Sequence, residues 1–173
     1  MRVTVLQTER LTLRHLSLDD AEFIIGLLNQ PSFLQYIGDR GVRTTDDARA
    51  YIENGPLASY AALGFGLWLT ALKNTNEPIG ICGLLKRETL AHVDVGFALL
   101  PAFWRQGYAV EAASATLAYG RTKLGLGRIV AITSPDNEGS RRVLERIGMK
   151  FERMIRLGSE DREARLFGSD ALR

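Results

Sequence analysis

The residues best placed to do chemistry lie in one run, Pro101-Ala102-Phe103-Trp104-Arg105-Gln106-Gly107-Tyr108-Ala109-Val110-Glu111-Ala112-Ala113. An apolar stretch from His92 to Leu100 reads as a strand entering it, and a helix follows to about Leu124. A tight strand-to-helix turn leaves several backbone N–H groups unpaired, and the helix dipole adds partial positive charge at the same place. Gly107 lets the backbone approach a ligand closely and take dihedrals that a β-carbon would forbid. The chemistry implied is the grip of an anion, with the phosphates of a nucleotide as the first candidate.

Other arrangements carry less. Gly125-Leu126-Gly127 looks like the start of a dinucleotide fingerprint, but it follows a helix and precedes a strand, the reverse of the order that such a turn needs. No P-loop lysine signature and no Gly-x-Ser-x-Gly elbow is present. His15, His92 and Cys82 are too few and too scattered for a zinc site, so no metal is expected. Cys82, between Ile81 and Gly83 in an apolar strand, reads as an inert core thiol.

The elements that must position the turn follow from periodicity. Leu11, Leu13 and His15 alternate with Thr12, Arg14 and Leu16 as a first strand. Ser17 and Asp20 open a helix that runs to about Asn29 and is ended by Pro31. Leu34 to Arg43 reads as a loop, and Thr44 or Thr45 caps a helix from Asp46 to about Asn54, stopped by Gly55-Pro56. Leu57 to Leu63 is a further short helical candidate. Phe65–Leu72 and Ile79–Lys86 are strands joined by a strong turn. The second half alternates: the strand and helix around Gly107, a strand Arg128–Ser134, a helix from Asn137 or Glu138 to Ile147 closed by Gly148, and strands Met149–Leu157 and Glu163–Gly168. This order predicts an α+β layer fold in a single domain over residues 1–173, not a regular doubly wound one.

Composition narrows the function classes. A formal net charge of +2 gives no reason to expect nucleic acid as a partner, and no apolar run approaches membrane-spanning length. The first nine residues lack the apolar core of a secretory leader, and one cysteine excludes an internal disulfide. A soluble, cytoplasmic protein is the expectation.

Trp104-Arg105-Gln106-Gly107-Tyr108-Ala109, followed by Glu111-Ala112, resembles the acetyl-CoA motif of the GNAT N-acetyltransferase superfamily. Two further stretches carry the same resemblance in the right order. Thr8-Glu9-Arg10-Leu11-Thr12-Leu13-Arg14 resembles the opening strand of the ribosomal-protein N-terminal acetyltransferase (RimJ/RimL-like) branch. Asn137-Glu138-Gly139-Ser140-Arg141-Arg142-Val143-Leu144-Glu145-Arg146-Ile147-Gly148-Met149 resembles its second signature. Trp104 stands where the superfamily pattern has Gln or Arg, and Met149 replaces the usual Phe.

The resemblance implies a mixed, mostly antiparallel twisted sheet of about seven strands flanked by about four helices. Acetyl-CoA would lie between two splayed central strands, here Phe97-Ala98-Leu99 and Ile132-Thr133-Ser134. It implies that backbone N–H groups from Arg105 through Gln106, Gly107, Tyr108 and Ala109 to Val110 cradle the pyrophosphate, with Arg105, Arg141 and Arg142 as candidates for the outer phosphates. Asn137 would bond the pantetheine arm near its thiol end. Ser140 shares the inward helix face of Val143, Leu144 and Ile147, so its hydroxyl is the candidate general acid. Asp94 is the candidate base, acting through water. An α-amine, with a pKa of about 8 against about 10.4 for lysine, needs little help from a base. The expected activity is transfer of an acetyl group to a primary amine such as a protein N-terminus. The alternatives are a small amine (amino acid, polyamine or antibiotic) as acceptor, or a non-catalytic acyl-CoA-binding module. The acceptor is expected against Tyr36–Arg43, Tyr60–Trp68 and Gly158–Arg162, where Asp39, Glu160 and Asp161 mix with Arg40, Arg43 and Arg162. Homodimers are common in this branch.

Overall fold

The computed structural model describes residues 2–158 and 161–170. One eight-stranded sheet runs through the described residues in the order β1-β2-β3-β4-β5-β6-β8-β7. Its strands are β1 Thr4–Gln7, β2 Leu11–Arg14, β3 Leu67–Leu72, β4 Pro78–Leu85, β5 Asp94–Leu99, β6 Arg128–Thr133, β7 Lys150–Leu157 and β8 Arg162–Asp170. Every neighbouring pair is antiparallel except β5 and β6.

Strand alternation divides the core into two. Trp68, Cys82, Leu84 and Val95 face one side, where Ala112, Ala113 and Leu117 of α5 (Tyr108–Thr122) and Leu144 of α6 (Glu138–Arg146) cover them. Leu69 and Ile81 face the other side, under α1 (Ala21–Leu28), α2 (Pro31–Tyr36) and α3 (Thr45–Ile52). Small residues keep α5 close to the sheet. A β-carbon on Gly120 would stand 3.0 Å from Ile129 Cδ1, tight enough that the isoleucine end would have to shift by a few tenths of an ångström. Cys82 is a fully buried core thiol: burial pushes its pKa up to about 12, and it makes a hydrogen bond with Thr116 Oγ1 at 3.4 Å.

The α+β layers and the mostly antiparallel sheet are as expected, with an eighth strand where Thr4–Gln7 pairs with β2 as a short, half-exposed edge. Two local expectations need correction. Pro31 does not end the helical region; it occupies the first turn of α2, where its missing N–H costs nothing, so part of the expected loop is helix. Gly55-Pro56 does not stop the chain either. A π-helical turn over Glu53–Leu57 carries the proline and joins α3 directly to α4 (Ala58–Leu63). The helices therefore outnumber the four expected.

The first helical turn is held from below. Arg14 donates to both oxygens of Asp20 at 2.9 and 2.8 Å, and both side chains are buried. Burial pushes the Asp20 carboxyl up, but the Arg14 hydrogen bonds and the Ser17 N–H outweigh it, leaving Asp20 below the ordinary carboxylate range.

Candidate active site

The turn before α5 is shaped by two left-handed residues, Arg105 at φ 59° and Gly107 at φ 83°, the latter serving as the N-cap. A contact between residues about a hundred positions apart in the chain holds it in place. Glu111, in the first turn of α5, accepts from Thr8 Oγ1 at 2.5 Å, from the Arg10 backbone N–H at 2.8 Å and from Arg10 Nε at 2.7 Å. Arg10 Nη1 donates to the Gln106 carbonyl at 2.9 Å, and the guanidinium lies 4.3 Å from the centre of the Tyr108 ring. Burial pushes the Glu111 carboxyl up, but its bonds to Thr8 and Arg10 hold it below its usual range. The β1–β2 turn thus bolts the loop and the start of α5 to the sheet, leaving the N–H groups at the helix start free to face a ligand.

The sheet opens beside this turn. β5 and β6 are in register only at Asp94 and Val130, where Val130 N–H donates to Val93 O at 3.0 Å. Beyond that point the strands splay. Leu100 N–H bonds Ile79 O on β4, so by antiparallel alternation the N–H and carbonyl groups of Phe97 and Leu99 turn away from β4, toward the gap. Trp104 Nε1 takes the Leu99 carbonyl at 2.9 Å, which ties the turn to the strand. Into this opening falls a cavity of about 730 Å³, lined by Phe97–Leu99, Trp104, Arg105, the Gly107–Val110 backbone, Asn137, Ser140 and Arg142.

A second cavity of about 640 Å³ lies beyond the gap and contains Asp94, Tyr51, Arg87 and Thr133. The two cavities share Phe97, Ala98, Asn137 and Ser140, with Phe33, Tyr36 and Ile37 of the α2 region as a common wall. Ser140 therefore stands where they meet. Its backbone N–H is capped by Asn137 Oδ1 at 3.1 Å, so capping α6 falls to the asparagine and the serine hydroxyl makes no hydrogen bond to the described residues. Asp94 is 1% exposed. Burial raises its carboxyl, and Arg87 Nε, at 3.1 and 3.3 Å from its two oxygens, only partly offsets that.

Not every expected residue reaches these cavities. Gln106 turns its side chain back to Ala102 O at 2.9 Å and is absent from both linings. Thr133 lines the second cavity rather than the first, with its buried hydroxyl unpartnered among the described residues. Arg141 is occupied by Glu138 and Glu145, each at 2.7 Å, whereas Arg105 and Arg142 line the first cavity. Arg146 joins them there, unforeseen from sequence. Of the expected acceptor surface, Asp39 pairs with Arg43 at 2.7 Å and Asp161 with Arg156 at 2.8 Å, while Glu160 lies outside the described residues. Tyr60 stacks on His15 at 3.9 Å and accepts from Leu16 N–H at 3.2 Å. Arg162 donates to Ile37 O, Tyr36 O and Ser134 Oγ at 2.6, 2.8 and 3.1 Å, stitching the end of α2 to the far wall.

Comparison with known proteins points the same way. A family model described as an acetyltransferase (GNAT) domain matches residues 10–150. YoaA of Bacillus subtilis, described as an uncharacterised N-acetyltransferase, is 30% identical over 153 residues, covering 88% of this chain and 86% of its own. An acetyltransferase structure from Agrobacterium tumefaciens superposes with a TM-score of 0.83 at 25% identity, covering 99% of this chain and 96% of that one. RimL, a ribosomal-protein alpha-N-acetyltransferase solved with coenzyme A, shares the fold with a TM-score of 0.81 at 18% identity, covering 96% and 97% of the two chains.

Proposed function

The chain belongs to the GNAT acetyltransferases, and from that premise we propose that it moves the acetyl group of acetyl-CoA onto the α-amine of an acceptor, at the junction of the two cavities. The observation that carries this is the sharing of Phe97, Ala98, Asn137 and Ser140 by both. A thioester entering from one side meets an amine entering from the other at a free hydroxyl. The RimL structure with coenzyme A supports the assignment of the cosubstrate and of a RimJ/RimL-like branch.

The residues present suit the cosubstrate. The N–H groups of Tyr108, Ala109 and Val110 receive the pyrophosphate at the positive end of α5, and Gly107 keeps the approach open. Arg105 and Arg142 meet the outer phosphates. Phe97 and Leu99 offer strand-edge groups to the amide-bearing arm, and Asn137 offers its remaining amide N–H near the thiol end. Phe97 N–H is the donor for the thioester oxygen as negative charge develops on it, a role that preorganised backbone donors fill well. The amine nitrogen bonds to the acyl carbon, and the carbon–sulfur bond breaks. Ser140 gives its proton to the departing sulfur, Asp94 takes the proton lost by the amine through water, and that proton returns through water to Ser140 before the next turnover. An α-amine, with a pKa of about 8, is already partly neutral at physiological pH, so one remote, water-linked carboxylate is sufficient.

The test is release of free CoA thiol from acetyl-CoA over a panel of α-amines, with lysine side-chain amines and polyamines for contrast. Turnover confined to α-amines is expected. No turnover with any amine, in protein that acetyl-CoA still stabilises thermally, would overturn the reading.

A further inference from the structure

The second cavity is not neutral where it opens. Arg87 uses Nε on Asp94, which leaves its two terminal nitrogens without a partner among the described residues. Arg40, on the chain between α2 and α3, lines the same cavity and makes no hydrogen bond or ion pair to the described residues. Both lie close enough to the Tyr51 phenol that their charges oppose the upward push of burial on it. Arg162 is spent on carbonyls and Ser134. Of the two carboxylates in the lining, Asp94 is taken by Arg87, while Glu163 is exposed on β8 and pairs with no cation among the described residues. Two guanidiniums with donors left open in one lining offer the chemistry that a carboxylate takes.

Its position gives a length. Arg87 is held on Asp94 through Nε, which puts the receptor beside a residue three before Phe97 on β5, about 10 Å along the strand at ~3.3 Å per residue. A guanidinium–carboxylate bond takes up about 2.8 Å of that. What remains, roughly 6–8 Å, is longer than an α-amino acid and close to the reach of two residues.

Resting on the proposed acetyl transfer to α-amines, we infer that the acceptor carries a carboxylate about two residues from its reacting nitrogen, and that Arg40 and Arg87 hold it. Two sources share this chemistry: the terminal carboxylate of a dipeptide, and an acidic side chain at the second position of a longer peptide.

The experiment measures acetyl-CoA-dependent thiol release for matched pairs. The first pair is alanylalanine against its C-terminal amide. The second is C-terminally amidated Ala-Glu against amidated Ala-Gln. Alanine against alaninamide serves as the pair that is too short. At least a tenfold preference for the carboxylate, expressed in KM, is expected in the first or second pair, and the pair showing it names the source. Alanine should show none. In Arg40→Ala the preference should collapse toward one, and Arg40→Lys should restore part of it. Equal turnover of acids and amides in both longer pairs overturns this inference while leaving acetyl transfer to α-amines intact. No turnover of any compound by protein that CoA stabilises overturns both.

Discussion

The two cavities that meet at Ser140 are built from different materials. The first offers main-chain groups where the cosubstrate is proposed to bind: the N–H groups after Gly107, the Phe97 edge and the Leu99 N–H, beside a loop whose side chains, Arg105 apart, are tied back. Gln106 returns to Ala102, Trp104 to Leu99, and Glu111 to Thr8 and Arg10. The second is made of side chains, with Asp94, Arg87, Arg40 and Tyr51 contributed by three separate parts of the chain. A main-chain site depends on a few small residues at set spacing and recognises a constant ligand. A side-chain site can change its ligand one residue at a time. The contrast predicts that substitutions on the first side alter acetyl-CoA binding and those on the second alter the acceptor, while Ser140, and Asp94 behind it, alter the step between them.

The largest effect is expected at that shared point. Ser140→Ala should lower kcat about 10³-fold, within the range for loss of a positioned acid, with acetyl-CoA affinity unchanged. Rapid-quench single turnovers measure this, and a matching loss of CoA binding would place Ser140 in the first cavity only. Gly107→Val comes next. A β-branched residue at φ 83° is strained by about 1–3 kcal/mol, and its β-carbon would stand 3.2 Å from Arg10 Nη2. Calorimetry should show CoA binding weakened on the order of 10²-fold.

Asp94→Asn should cost about tenfold in kcat/KM and change the pH profile. The wild-type carboxyl is raised by burial, so its basic form is lost as pH falls while still above the ordinary carboxylate range. Below that point, protonation of both amine and Asp94 gives a limiting log–log slope of two. The variant should keep a slope of one, from the amine alone, and an unchanged slope would remove Asp94 from the proton path. The smallest effect belongs to Glu111→Gln, which keeps one acceptor but loses the charge. The KM for acetyl-CoA should rise about fivefold, corresponding to about 1 kcal/mol, with kcat unaltered. A fall in kcat with KM unchanged would show that the clamp serves the acceptor side instead.

This difference in construction also explains what was legible in the sequence. The turn around Gly107 was readable because a main-chain anion site requires a glycine, small neighbours and a strand-to-helix order. Ser140 was readable because it shares the inward face of an amphipathic helix, and Asn137 because the family resemblance carries its position. The second cavity was not, since Arg40, Tyr51 and Arg87 obey no spacing rule and meet only through the fold. The fold itself followed the same logic. Strands with a buried alternating face were found, but β1 was missed because it is a half-exposed edge with little pattern. α2 was missed because Pro31 reads as a stop although it is equally suited to a helix start. The π turn at Pro56 has no sequence signature beyond the proline, which argues against it. Glu111 was visible as part of a motif, yet its role was hidden, because its partners Thr8 and Arg10 lie about a hundred residues away in the chain.

The central claim is that the two cavities join at Ser140 and that the thioester sits there. A crystal structure of the protein with CoA tests it without knowledge of the acceptor. The pantetheine arm should lie between β5 and β6, with its sulfur within about 3.5 Å of Ser140 Oγ. A sulfur that ends away from Ser140, or an arm that stays outside the gap between β5 and β6, would contradict it.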